Sequence, residues 1–452
     1  MKLIKYLIFS LVFFMMSCAD LLETELPSDE LEKDIALTSK QDMQELLNST
    51  YDVVANNFGG KIQRMSELLA DNLFIDGNSG FLVQVYNRAS DFFNSDVGDL
   101  YSGPYIAISR ANTIIENLDF VELTEDEKNQ LEGEAKFIRA ICHFELVRLF
   151  AQPYGFIADN SHLGIVIKTS SAIEPKNRAT VGEVYDQIIQ DLQDAASLIP
   201  EENGNYATSY SAKAFLAKVH FQMNDFANAA QYASDVIENG PFVFSDDINN
   251  RIETTVSPEA IFSIISTSMN DDRASFFDDY NSLNSTAETL PFILPSVEYF
   301  NILRSNSNDL RSEWVESVGQ SRVFTKFNQQ FFNVTVTSLT EMMLIAAESY
   351  GELDQNLSTA IDYLNQIKDR AEVSLLDAGA SAGLVISEAR NERRKEFGGE
   401  GIRLHELKRR AVNGENILIR NAPWDCDGMV LQFPASEIAV EGFTLNPEGG
   451  CN

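Results

Sequence analysis

Cysteine, tryptophan, histidine and basic residues are all scarce in this chain. Among its 452 residues are four Cys, four His and two Trp, the latter being Trp314 and Trp424. His143, His162, His220 and His405 lie far apart and none sits in an HExxH or His/Cys spacing, so no metal site is expected. No GxSxG elbow, phosphate loop or dinucleotide fingerprint occurs, and Gly398-Gly399-Glu400-Gly401 lacks the spacing of a phosphate cradle. No cofactor is therefore expected. Thirty-four Lys+Arg against 68 Asp+Glu give a formal net charge of -34, and a surface of that sign repels phosphate backbones. Nucleic acid is thereby excluded as the expected partner. Beyond the first residues no run approaches the ~20 apolar positions that a membrane-spanning helix needs.

What the chain does have is an apolar fraction of 44% and an aromatic fraction of 10%, recurring in periodic blocks and ample for a large core. Its start is distinctive. Lys2 and Lys5 form a basic head, Leu7 to Phe14 are largely apolar, and Ser17 precedes Cys18. This pattern is a secretory signal over residues 1–17 ending at a lipobox-like cysteine, with Met15 and Met16 where Leu and a small residue are usual. Cys18 is the expected lipidation site, and the lipid would be the only membrane anchor. Residues 18–37, acidic and broken by Pro27, read as a tether, and 38–452 as the folded domain. Of the other cysteines, Cys142 falls in a helical apolar stripe and reads as a buried thiol. Cys426 and Cys451 are a candidate disulfide in an exported protein, left open because spacing does not set Cβ geometry.

Helical signals dominate. Ser39 is a plausible N-cap before Met43, Leu46, Leu47, Tyr51 and Val54, and Gly59-Gly60 stop the helix. A second helix is expected from about Pro104 to Leu118. Thr124 and Glu127 form a capping box for a long helix that Pro153 ends, and Thr180 opens another through Leu198. Ser211 to Pro241 fits the tetratricopeptide template, with Asn224-Asp225-Phe226 at the turn and Ala229 and Ala233 allowing close approach. A looser copy spans Leu339 to Val373 with a longer inter-helix loop. The fold class expected is mostly α, with about four tetratricopeptide-like helical repeats, long loop insertions and short β segments. Ile261 to Ile265 and Phe331 to Val336 are β-like runs inside an irregular region from Phe242 to Thr337. Long irregular segments tend to carry function, so ligand contacts are expected there.

Several ordered blocks resemble the SusD/RagB family. They are Gly133 to Ala140 with His143 to Phe150; the Ser211 to Ile237 pair; Leu364 to Ala371; Glu392-Arg393-Arg394 with Glu396, Glu400 to Arg403 and Leu407-Lys408-Arg409; and Pro434, Glu437-Ile438 and Asn446-Pro447 near the end. The resemblance implies an acylated outer-membrane protein partnered with a SusC-like TonB-dependent transporter, to which it delivers oligosaccharide or, in some members, peptide. With only two tryptophans, the chain departs from members that use tryptophan platforms, and starch itself is unsupported.

Sugars present CH-rich faces ringed by hydroxyls, so their sites combine aromatic platforms with polar side chains. Two stretches meet that description. Residues 86–105 carry Arg88, Asp91, Phe92, Phe93, Asn94 and Tyr101, and residues 270–314 carry Asp272, Phe276, Phe277, Tyr280, Arg311 and Trp314. The expected ligand contacts are Arg88, Phe92, Phe93, Asn94, Tyr101, Tyr280 and Trp314, and Trp314→Ala is expected to weaken capture without disturbing the fold. Core packing competes with stacking for each of these rings. Glu392, Arg393, Arg394, Glu396, Glu400 and Arg403 read as an architectural ion-pair cluster rather than a catalytic one. The expected protein is therefore not an enzyme. A surface glycan-degrading lipoprotein is the rival from another class, and a purely structural transporter subunit is the second.

Overall fold

Ser39 opens the first helix through side-chain geometry. Its hydroxyl accepts from the Asp42 amide while the Asp42 carboxylate accepts from the Ser39 amide, closing a capping box at the head of α1 (Lys40–Phe58). Gly60, at φ 125°, lets the chain turn into α2 (Lys61–Leu69). The computed structural model describes residues 37–75, 77, 79–266, 279–329, 331–448 and 450–451. Residues 1–17, Cys18, the tether up to residue 36, Asp272, Phe276 and Phe277 lie outside the described residues.

The chain continues through β1 (Leu73–Ile75), α3 (Phe81–Tyr86), α4 (Ser95–Asn117), α5 (Glu125–Phe150), α6 (Val181–Leu198), α7 (Ser209–Gln222) and α8 (Phe226–Asn239). A mixed region follows with β2 (Ala260–Ile264), β3 (Ile293–Pro295), α9 (Val297–Arg304), β4 (Val315–Val318), β5 (Ser321–Phe324) and β6 (Val334–Ser338). Then come α10 (Leu339–Leu353), α11 (Leu357–Arg370), α12 (Ala382–Glu396), α13 (Arg403–Val412), β7 (Leu418–Ile419) and β8 (Ala422–Pro423). The architecture is mostly α. Its strands form two-stranded antiparallel pairs, and the two β-like runs of the sequence meet as β2 and β6, with Ile264 opposite Val334.

Thr124 caps α5 with the box its sequence predicts, and Thr180, the expected start of α6, caps it with a further box through Glu183. The helix expected from Pro104 begins instead at Ser95, with Pro104 buried inside α4. Proline removes an N–H and disfavours helix before it, which is why it reads as a start. Packing overrides that local signal. At Gly103 a Cβ would come within 2.5 Å of Asn57 Oδ1, so α4 lies closely against α1 there.

The α7/α8 pair turns through Met223-Asn224-Asp225, with Asn224 left-handed at φ 60° and Asp225 capping α8. The α10/α11 pair turns through Asp354-Gln355-Asn356, so the longer loop expected there is absent; Asp354 and Asn356 both adopt positive φ and close the turn. Small side chains at Ala229, Ala233, Ala346 and Ala347 are buried where these helices meet. A larger apolar core is built mainly by α1, α2, α4, α5 and α6, and a smaller one by α7, α8, α10, α11 and α12. Phe137 of α5 sets its ring edge against Phe215 of α7 and Phe262 of β2, at 5.5 and 5.2 Å. Cys142 is a free, buried thiol within α5.

The charged cluster of α12 and α13 is buried and paired. Glu396 accepts from Arg251, Arg311 and Arg370 at 3.1, 3.0 and 2.9 Å, and Arg311 also engages Asp309 and Glu392. Burial alone would push the Glu396 carboxyl up, but Arg370, Arg311, Arg251 and Lys326 hold it at about 2. Among the described residues no helix is long and apolar enough to cross a membrane.

Candidate ligand-binding groove

Residues 88–94 join α3 to α4 by a bridge whose backbone leaves helical geometry at Arg88, φ 59°. Asp91 Oδ1 accepts from the Phe93 amide at 2.8 Å, and Asn94 then caps α4 by accepting from Val97 N. That tight path turns Phe92 and Phe93 outward. Their ring centroids are 4.4 Å apart, and Phe93 is 72% exposed.

Against this bridge lies the C-terminal segment, whose ends are joined by a disulfide between Cys426 and Cys451 with Cα atoms 5.3 Å apart. Gly428 packs on Arg88 so closely that a Cβ would fall 2.0 Å from the Arg88 carbonyl oxygen. Gln432 Oε1 accepts from Asn446 N and its Nε2 donates to Asn446 O, clamping the outgoing and returning limbs together. The Ala435 amide donates to Phe92 O at 3.0 Å. Between bridge and segment opens a groove of about 360 Å³, lined by Arg88, Phe92 and Phe93 on one side and Asp427, Gln432 and Glu448 among others on the second.

The same segment crosses α4 and forms a neighbouring cleft of about 390 Å³. Phe433 meets the Tyr101 ring edge-on at 5.5 Å, and Ser436, Glu437 and Val440 face Tyr101, Tyr105 and Lys168. Tyr101 also packs on Phe150 and, with Tyr105, forms the cleft's aromatic side; Tyr105 donates its hydroxyl proton to Val166 O at 2.8 Å. Burial pushes the Glu437 carboxyl upward.

Of the residues expected at a site, Arg88, Phe92 and Phe93 converge on the groove and Tyr101 lines the adjoining cleft. Asn94 is corrected to a structural role. Its amide nitrogen donates to Phe81 O and Gln84 Oε1 while its oxygen caps α4, leaving nothing free. Tyr280 and Trp314 are corrected as well, because both are interior. Tyr280 packs on Phe324 and Phe327; Trp314, 3% exposed, donates its indole N–H to Asn249 Oδ1 and carries Lys326 over its ring. Their region is irregular in backbone, yet these two rings are core. Arg311 is wholly buried in the ion-pair cluster. Sequence reasoning missed Asp427, Gly428, Gln432, Asn446 and Glu448; the Cys426/Cys451 pair that brackets them was the available signal.

Arg88 is buried, with Nε and Nη2 lacking hydrogen-bond partners, and no carboxylate among the described residues forms an ion pair with it. Burial, with Arg420 close by, lowers it to about 10. The groove thus presents one exposed and one half-buried aromatic ring beside acceptors of hydroxyl protons, an arrangement suited to a polyol with CH-rich faces. No group of side chains that could hold a metal ion occurs among the described residues.

Comparison with known proteins matches residues 26–221 to a SusD-like family described as starch-binding and associating with the outer membrane, and residues 324–424 to the SusD family. The SusD-like protein P2 of Formosa agariphila is 25% identical across 92% of each chain. Among solved structures, a SusD superfamily protein from Bacteroides thetaiotaomicron superposes with a TM-score of 0.79 at 21% identity, over 91% of this chain and 100% of the other. A laminarin-binding SusD-like protein superposes with a TM-score of 0.71 at 19% identity, over 91% and 99%.

Proposed function

The chain belongs to the SusD/RagB family, and from that premise we propose that it is an outer-membrane lipoprotein that captures a glycan and delivers it to a SusC-like TonB-dependent transporter. Acylation at Cys18 would hold it at the cell surface. The groove between residues 88–93 and 426–451 is the capture site, and the observation that carries this is the paired rings of half-buried Phe92 and exposed Phe93 set beside polar groups in a concave surface. Ring faces stack on sugar CH groups, and the carboxylates and backbone accept hydroxyl protons. The fold shared with the laminarin-binding protein makes sugar the first ligand class to test. Capture is the whole chemistry: no bond is cleaved.

Isothermal titration of the purified mature protein against a glycan panel tests the reading, with mass analysis of the oligosaccharides afterwards. Binding without shorter products is expected. Replacing both Phe92 and Phe93 by Ala should weaken it about tenfold or more. Shortened products would make the protein a glycan-degrading enzyme, and binding confined to peptides would replace the ligand class. Detergent extraction of native membranes with antibody against this chain should co-purify a TonB-dependent transporter; its consistent absence would remove the delivery step.

A further inference from the structure

The geometry points to a neutral glycan as the ligand class of the groove, with sulfated and uronic-acid polymers excluded; this rests on the glycan reading above. A guanidinium without a carboxylate, in a chain with a formal charge of -34, would ordinarily suggest an anion-binding site. Here the placement of charges argues the reverse. Arg88 is only 6% exposed and its Nε and Nη2 are inaccessible as well as unpartnered, so an incoming anion can meet no more of the fork than Nη1 and has no bidentate edge to grip. What it meets instead are the carboxylates of Asp91, Asp427 and Glu448, all on exposed residues lining the same groove.

Asp91 already spends Oδ1 on the Phe93 amide, while the carboxylates of Asp427 and Glu448 have no hydrogen bond among the described contacts. Lining one groove, these charges face anything bound inside it at contact range, where salt screens least. Sugar hydroxyls can donate to carboxylates, whereas a sulfate or uronate oxygen only accepts and would leave them facing like charge. The neighbouring cleft carries Lys168 and Lys176 against Glu174 and Glu437, and so adds no net positive field.

The test is titration calorimetry of the whole mature protein with neutral oligosaccharides, such as those of laminarin and xyloglucan, and with alginate and sulfated-galactan oligosaccharides. Each is measured at about 20 mM and about 500 mM NaCl. The tightest ligand should be neutral, with its affinity changing less than about twofold between the two salts and charged ligands at least about tenfold weaker at low salt. Changing Asp427→Asn together with Glu448→Gln should weaken neutral binding and narrow that gap. A sulfated or uronic ligand that binds most tightly and loosens steeply with salt would overturn the inference while leaving the groove a glycan site. Silence toward every glycan would remove the site reading and the inference together.

Discussion

At the scale of single residues, Glu67 carries a charge poorly suited to its surroundings. It is fully buried in α2; Oε1 accepts from the Gly401 and Arg403 amides at 3.1 and 3.4 Å, and Oε2 has no hydrogen-bond partner among the described residues. Burial, reinforced by Asp71, pushes it from 4.5 up to about 7 against the pull of those amides and the Arg403 charge. The folded state therefore keeps a proton that the unfolded chain has released, and stability falls as pH rises from 4.5 to 7, then stays level. Glu67→Gln keeps the acceptor and removes the charge, so urea titrations should show the variant gaining on the parent across that window. A gap independent of pH would mean that Glu67 ionises normally. Trp314 makes the opposite case, in which a ring expected to touch ligand proves to be core. Trp314→Ala should cost about 3–5 kcal/mol of stability and leave the affinity of the folded fraction unchanged. Lost affinity with unaltered stability would return Trp314 to the site.

At the scale of elements, the segment from Cys426 to Cys451 forms one wall of both clefts, with little regular structure beyond the 3-10 turns at Asp427–Met429 and Ala435–Ala439. Its position depends on Leu431 donating to Leu149 O, on Asn446 donating to Phe150 O, and on the disulfide closing a sequence separation of 25. Replacing both cysteines by Ser should leave the helical circular dichroism intact, cost about 3 kcal/mol of stability because the unfolded chain gains that freedom, and lower ligand affinity about tenfold as the groove wall loosens. Unchanged affinity would show that the backbone clamps alone hold the groove. The contrast explains what could be read in advance. Ser39, Thr124 and Thr180 announce their helices because a capping box is complete within four residues. The wall from 426 to 451 depends on partners hundreds of positions away, and no local pattern encodes that. Whether an aromatic is platform or core is equally non-local. Phe93 and Trp314 sit in similarly polar, irregular stretches, and only the packing of distant segments exposes one and buries the other.

At the scale of the whole molecule, Glu396 joins segments that the sequence keeps far apart. Arg251 comes from the loop before β2, Arg311 from the 3-10 turn after α9 and Arg370 from the end of α11, and all three donate to one carboxylate without solvent exposure. Such clusters contribute little net energy when intact but are costly to break, because the remaining charges stay buried. Arg311 would keep Asp309 and Glu392, and Arg370 would keep Glu259, whereas Arg251 would retain only Glu400 at 3.4 Å. Glu396→Ala should therefore destabilise the whole protein by about 3–5 kcal/mol, seen as a single earlier denaturation midpoint shared by tryptophan fluorescence and helical signal. The pH dependence carries a further check. With Glu396 held at about 2 when folded and at 4.5 when free, its contribution is present above 4.5 and lost as pH falls toward 2. The gap between parent and variant should accordingly shrink on acidification through that window. A gap that stays constant to pH 2, or two separate midpoints in the variant, would mean that the cluster is a local clamp and that other contacts unite the fold.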